Sequence, residues 1–269
     1  MKQKFEIYFH LGLPKTASTF VQQEIFPNLT DVTFYRKHKF NTYKNLHKTE
    51  LSGKYLFSSE KDRKLEKTVD EISKLFPFAK IILVFRRHND WILSKYKYYI
   101  RKHGYKSFEE FFDIESNKGL WKREELLYRN KIEYVEKHFK SKPLILTFDH
   151  FKRNPEGFLE KITKYLNSSF QPITKKQKIV KKAFKKKQLI IIRKFNRIFR
   201  YKKARSNSKI LNRIHYKYWE FSLHIVAFLS LFLPEIVTKK TPLIKNDQIL
   251  EKIRKYYEDD WEYCVKYNP

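Results

Sequence analysis

Short apolar, β-rich runs alternate with stretches at helical spacing through the first 168 residues. The expected strands are Phe5–Phe9, Asp31–Arg36, Lys54–Glu60, Lys80–Phe85 and Leu144–Phe148. Lys80-Ile81-Ile82-Leu83-Val84-Phe85 has no polar interruption after its lysine, as a strand covered on both faces requires. Between the strands, Phe20, Val21, Glu24 and Ile25 predict a helix from Ser18 through Phe26. Leu65, Val69, Ile72, Leu75 and Phe76 predict a second, stopped by Pro77. The segment from Ser107 to Lys140 reads as helical throughout, and Asn154-Pro155 starts a further helix with Asn as N-cap and Pro at the first helical position. Strand and helix in alternation predict an α/β fold, a central parallel sheet flanked by helices.

The pattern changes after residue 168. From Lys161 to Trp219 no acidic residue occurs among 20 Lys and Arg. Within that stretch Ile191, Phe195, Ile198 and Phe199 keep helical spacing, and Arg205-Ser206-Asn207-Ser208 reads as a break. A helix from about Lys209 leads into an uncharged run of 14 residues, Phe221–Pro234. Spanning a bilayer takes roughly 20 residues, so this run suits a core helix or one lying in a membrane interface. A last amphipathic helix begins after Pro242 and ends near Tyr263. The organisation expected is a core over 1–168, a basic helical segment over 169–240 that covers substrate or touches a membrane surface, and a C-terminal helix over 241–269 packing on the core. No internal repeat is visible.

Charge is the extreme feature: 59 Lys and Arg against 29 Asp and Glu, a formal net charge of +30. Such a field concentrates anions, whether a nucleotide, an acidic polysaccharide, anionic lipid or nucleic acid. No named nucleic-acid motif is present, so no specific nucleic acid is expected. A single cysteine, Cys264, excludes an intrachain disulfide framework and points to a reducing compartment. The N-terminus enters the first strand with no apolar leader, so the expected location is cytoplasmic, or peripheral on the cytoplasmic face of a membrane.

Two strand ends carry the chemistry. The first is His10-Leu11-Gly12-Leu13-Pro14-Lys15-Thr16-Ala17-Ser18-Thr19-Phe20. Small and hydroxyl residues at a helix start leave backbone N–H groups for an anion, and Lys15 adds a point charge. The nucleotide-triphosphate P-loop, Gly-x-x-x-x-Gly-Lys-Ser/Thr, does not fit, because Pro14 stands where that loop needs glycine. The second is Arg86-Arg87-His88-Asn89-Asp90-Trp91-Ile92-Leu93-Ser94.

Together the two resemble the sulfotransferases. Pro14-Lys15-Thr16-Ala17-Ser18-Thr19 is similar to their 5′-phosphosulfate loop, and Arg86 with Ser94 eight residues on is similar to their 3′-phosphate site, with Asp90 on the family's Asp. Arg87-His88 replaces the usual Asn-Pro, and Trp91 the usual Arg. The C-terminal Tyr256-Tyr257-Glu258-Asp259-Asp260-Trp261 resembles the last helix of many bacterial-type members. The resemblance implies a P-loop-NTPase-like sulfotransferase fold. It also implies 3′-phosphoadenosine 5′-phosphosulfate (PAPS) as cofactor, bound by Pro14, Lys15, Thr16, Ala17, Ser18, Thr19, Phe20, Arg86 and Ser94, with no metal.

Sulfonate transfer needs positioning and charge stabilisation above all. Lys15 is the expected catalytic cation. Thr16, Ala17, Ser18 and Thr19 would bind the 5′-phosphate through backbone N–H groups, Thr16 and Thr19 adding hydroxyls, or those hydroxyls serve only as helix caps. Ala17 in place of glycine is expected to keep φ negative. The acceptor must lose a proton, and Glu60 resembles the strand-end glutamate that serves as base in several carbohydrate sulfotransferases. The alternative for Glu60 is a solvated carboxylate paired with Lys61 or Arg63. For Arg86 and Ser94 it is a structural salt bridge and a helix hydroxyl. His10 and His88 are weaker candidates for the base, His10 reading as a satisfied core histidine, and Asp90 reads as an N-cap. No spacing for metal ligands appears. The expected acceptor is a hydroxyl on a carbohydrate or lipid, which can be membrane-borne. The competing reading is a non-catalytic basic protein that binds anionic membrane or nucleic acid.

Overall fold

The computed structural model describes residues 5–46, 52–171, 184–201, 207–239, 241–246 and 248–267. The chain forms two compact units, one of residues 1–91, 125–177 and 254–269, the other of 92–124 and 178–253.

The first unit is built on five parallel strands: β1 (Phe5–His10), β2 (Val32–Tyr35), β3 (Gly53–Ser58), β4 (Lys80–Phe85) and β5 (Leu144–Thr147), in the order β2-β3-β1-β4-β5. The register pairs Phe5 with Gly53 through His10 with Ser58, and Tyr8 with Lys80 through His10 with Ile82. Every residue from Ile81 to Phe85 is fully buried, so the uninterrupted apolar run does mark a strand covered on both faces. One face packs Tyr8, Leu56, Ile82, Val84 and Leu146 against Val21, Ile25, Phe26, Phe158 and Ile162.

The helices with residues in this unit are α1 (Ser18–Phe20), α2 (Tyr43–Leu46), α3 (Leu65–Leu75), α4 (His88–Arg101), α6 (Tyr128–His138), α7 (Phe148–Arg153), α8 (Pro155–Leu166), α12 (Gln248–Tyr256) and α13 (Glu258–Lys266). As Asn154-Pro155 predicts, the Asn154 side chain accepts from Gly157 N–H at 2.9 Å and Pro155 opens α8. The helix expected over Ser18–Phe26 is irregular: α1 runs into a π-helical segment, Val21–Ile25, and a 3-10 turn, Phe26–Asn28, where Pro27 removes a donor. The last helix is two, α12 and α13, separated at Tyr257.

The second unit holds the rest of α4 and of α12, together with α5 (Phe108–Phe111), α9 (Lys186–Ile198), α10 (Lys209–Leu229) and α11 (Ile236–Lys239). The helical pattern expected over Ser107–Lys140 is realised as separate helices, interrupted between α5 and α6. The Asp113 carboxylate accepts from the N–H groups of Glu115 and Ser116, Asn117 takes φ 57°, and Gly119 lies so close to Phe112 Cα that a side chain would clash at 2.9 Å. Asp, Asn and Gly favour turns over helix interiors for these reasons. The break expected at Arg205–Ser208 falls largely outside the described residues; Ser208 caps α10 through Leu211 N–H. Asn196, buried on α9, donates to the carbonyls of Ile100 and Gly104 and so closes the end of α4.

Candidate active site

β1 and β4 are neighbours in the sheet, while the chain from β1 goes on to β2 on the opposite edge. The order therefore reverses beside β1, and ligands of open parallel sheets bind outside the strand ends at such a point. Three chain segments leave this rim: 11–17 after β1, 59–61 after β3 and Arg86 after β4.

The backbone fixes the loop after β1 on both sides. Leu11 and Leu13 N–H donate to the carbonyls of Ile82 and Val84, and Ser59 and Lys61 N–H donate to those of His10 and Gly12. A Cβ at Gly12 would stand 2.8 Å from His10 Nε2 and 2.9 Å from Val84 N, so only glycine passes between the extensions. Beyond it, Lys15 and Ala17 have φ 73° and 63°. The negative φ expected at Ala17 is thus corrected. Positive φ at Lys15 and Ala17, on either side of Thr16, gives the alternation that curls successive N–H groups into a concavity of the kind that can bind an anion. Each non-glycine residue so held costs on the order of 1–2 kcal/mol.

The loop carbonyls are tied down. Leu13 O accepts from the Thr16 hydroxyl at 2.6 Å and the Ser18 hydroxyl at 3.2 Å, Pro14 O accepts from Trp91 Nε1 at 2.8 Å, and Lys15 O accepts from Arg86 Nη1 at 3.5 Å. No backbone carbonyl bonds the N–H groups of Thr16, Ala17 or Ser18 among the described residues. The Thr16 hydroxyl is buried and held within the loop, so the side chain the sequence offers as a ligand is taken up by Leu13 O. Thr19 is exposed, and Phe20 is exposed with its ring 5.0 Å from that of Phe151. Trp91, where the family resemblance expects Arg, is the residue that anchors Pro14.

Arg86 reaches the loop from β4. Its guanidinium lies over the Phe148 ring at 4.8 Å and 3.9 Å from Asp90, and its Nε is buried with no partner among the described residues. The structure thus brings the two sequence motifs together through Arg86 and Lys15. Asp90 is in the first turn of α4, facing Arg86. Ser94 is half-buried on the part of α4 that belongs to the second unit.

Glu60 follows β3 between Ser59 and Lys61, the two residues hydrogen-bonded to the loop. It is half-buried, and no ion pair or hydrogen bond engages its carboxylate among the described residues. Arg63 pairs with Glu125, and Lys61 lies over the Phe40 ring at 4.6 Å, so neither cation proposed as its partner takes it. His10 is fully buried; its Nδ1 lies 2.7 Å from the Ser58 hydroxyl, which accepts from Gln22 Nε2 at 2.8 Å. Burial pushes its pKa down to about 4, which keeps it neutral at pH 7.

His88 is structural. Its ring is stacked between Tyr128 (4.0 Å) and Tyr257 (4.4 Å), and its Nε2 is 2.9 Å from Asp260. Burial lowers its pKa, partly opposed by Asp260. Asp260 also accepts the N–H groups of Tyr128 and Arg129, so it caps α6 from a distant helix. Burial pushes the Asp260 pKa up, but these bonds outweigh it and hold it below the usual carboxylate value. Arg87 completes the clamp with both oxygens of Glu258. The Arg87-His88 pair that departs from the family pattern is therefore matched to Glu258 and Asp260. Asp260 escaped sequence reasoning because its partners lie 132 and 172 positions away.

A model of the sulfotransferase family matches residues 24–172, more than half of the chain. The chain belongs to the sulfotransferase family. The matched span includes Glu60, Arg86 and Ser94 and begins after the loop, so the reading of Pro14–Phe20 rests on the geometry above. Among solved structures, a sulfotransferase from Alicyclobacillus acidocaldarius is similar at 17% identity over 64% of this chain and 85% of that one, with a TM-score of 0.50. A mouse sulfotransferase complexed with PAP is similar at 17% identity over 63% of this chain and 61% of that one, with a TM-score of 0.40. No curated protein matches. The five-stranded parallel sheet flanked by helices is the sulfotransferase fold, and family membership makes the protein an enzyme of this class rather than a non-catalytic basic protein.

Proposed function

We infer that this sulfotransferase uses PAPS and sulfates a hydroxyl group of a carbohydrate or lipid. The observation that carries the reading is the loop of Leu13–Ser18, whose carbonyls are tied down while the N–H groups of Thr16, Ala17 and Ser18 have no backbone acceptor among the described residues, with the Arg86 guanidinium bonded to the Lys15 carbonyl. The residues suit a nucleotide with phosphates at both ends. The Gly12 passage lets the backbone curl without obstruction, and Arg86 has a buried Nε, without a partner among the described residues, that an anion can satisfy. When bound, the nucleotide supplies an activated sulfonate on a good leaving group.

The chain's own residues then have separable tasks. The N–H groups of Thr16, Ala17 and Ser18 hold the 5′-phosphate, Pro14, Thr19 and Phe20 frame the loop, and Arg86 takes the 3′-phosphate. The Lys15 ammonium offsets negative charge where it builds up. Glu60 accepts the hydroxyl proton at its carboxylate, which pairs with no cation among the described residues. A carboxylate base fits an alcohol better than it fits an ammonium, which would first have to lose a proton before acting as nucleophile.

The test is transfer of labelled sulfonate from PAPS to a panel of carbohydrate and lipid alcohols. Lys15→Ala is expected to lower kcat by roughly 100- to 1,000-fold, and Glu60→Gln by roughly 100-fold or more. Turnover unchanged in both variants would overturn the assignment.

A further inference from the structure

The second unit carries an apolar surface that none of its described residues covers. Along α10, Leu211, Ile214, Tyr218, Phe221, Ile225 and Phe228 recur at alternating steps of three and four, and Phe232 continues the series beyond the helix. Each is exposed, from 44% at Ile225 to 73% at Phe232. At 3.6 residues per turn they fall within one stripe about 100° wide. The buried residues of the same helix, Leu223 and Ala227, lie on the opposite side, where Gln188 of α9 donates to the Ala227 carbonyl. Beyond the helix, Leu231, Leu233, Ile236 and Val237 enlarge the exposed patch at its C-terminal end.

We propose that this stripe seats the enzyme on an anionic membrane, with α10 lying in the interface. Charge selects the occupant. Between positions 184 and 239 the sequence has 14 Lys and Arg against two acidic residues. Both acids are engaged locally or sit past the helix: Glu220 pairs with Lys102 and Lys217, and Glu235 follows Pro234. A second copy laid on the stripe would bring two such basic surfaces together and be repelled. Anionic headgroups complement them, and long basic side chains reach headgroups while the apolar stripe enters the acyl boundary. No helix among the described residues is long and apolar enough to cross a membrane, so the contact is in the plane of the interface.

The experiment is flotation of the full chain with phosphatidylcholine vesicles made with and without phosphatidylserine, and it needs no sulfonate transfer. Co-flotation with the anionic vesicles is expected, weakened at least about tenfold by Phe221→Ser, Phe228→Ser and Phe232→Ser combined, since each loses about one side chain's worth of burial. All three rings are exposed, so circular dichroism of this variant is expected to match the parent. A Phe228→Trp variant is expected to show blue-shifted emission quenched by brominated acyl chains. Anionic binding unaffected by the triple substitution, with no quenching, would overturn the proposal by reducing it to charge alone. A stable dimer dissolved by the same substitution would overturn it in favour of a second copy.

Discussion

Removal of the Asp260 carboxylate tests how the C-terminal segment supports the site. In Asp260→Ala, the N–H groups of Tyr128 and Arg129 and the buried Nε2 of His88 all lose their acceptor. Loss of a helix N-cap costs about 1 kcal/mol, and a buried donor left without a partner costs about 1–3 kcal/mol more. The expected destabilisation is therefore about 3 kcal/mol, since nothing else in α6 caps its start: Leu127, at the N-cap, has no side-chain acceptor. The effect is expected to reach the rim, because the Tyr128 hydroxyl donates to the Arg86 carbonyl at 2.7 Å. Urea unfolding monitored by circular dichroism measures the first quantity, and the midpoint is expected to fall without a change in slope. A loss below about 1 kcal/mol would refute the reasoning, because it would mean that water replaces all three bonds at no cost.

Three further outcomes follow from the same geometry. Gly12→Ala is expected to destabilise the fold by about 1–3 kcal/mol, because the new methyl meets the Val84 backbone N at 2.9 Å; denaturant titration checks it. For His10, the folded chain binds a proton near pH 4 and the unfolded chain near 6.5, so stability is lost as pH falls between those values. By pH 5 the loss from this residue is about 2 kcal/mol, and His10→Gln is expected to remove that part of the pH dependence of unfolding. The kinetic losses for Lys15→Ala and Glu60→Gln, read from initial rates of labelled sulfonate transfer, complete the set.

Much of the molecule is legible in its sequence where local pattern and burial agree. The five strands, the Asn154 cap and the long helix from Lys209 all express periodicity and capping that act over a few residues. What escapes sequence reading depends on partners far along the chain. Ala17 does not advertise a positive φ, because alanine is an ordinary helix former; the conformation is imposed by hydrogen bonds to the Leu13, Pro14 and Lys15 carbonyls, two of them from residues near position 90. The break between α5 and α6 rests on Asp113, Asn117 and Gly119, turn-forming residues that are obscured in the sequence by the apolar Phe108, Phe111, Phe112 and Trp121 around them, all of which are buried. Asp260 looks like one of three acids opening a helix until the folded chain places it on α6 and His88.

The central claim is that the rim of β1 and β4 holds a nucleotide by phosphates at both ends. Calorimetric titration with 3′-phosphoadenosine 5′-phosphate, against 5′-AMP, tests it most directly, with Arg86→Ala beside the parent. The account predicts micromolar binding that requires the 3′-phosphate and weakens at least about tenfold in Arg86→Ala, the loss of one charge-assisted contact. Equal, salt-sensitive binding of both nucleotides, indifferent to the substitution, would contradict it.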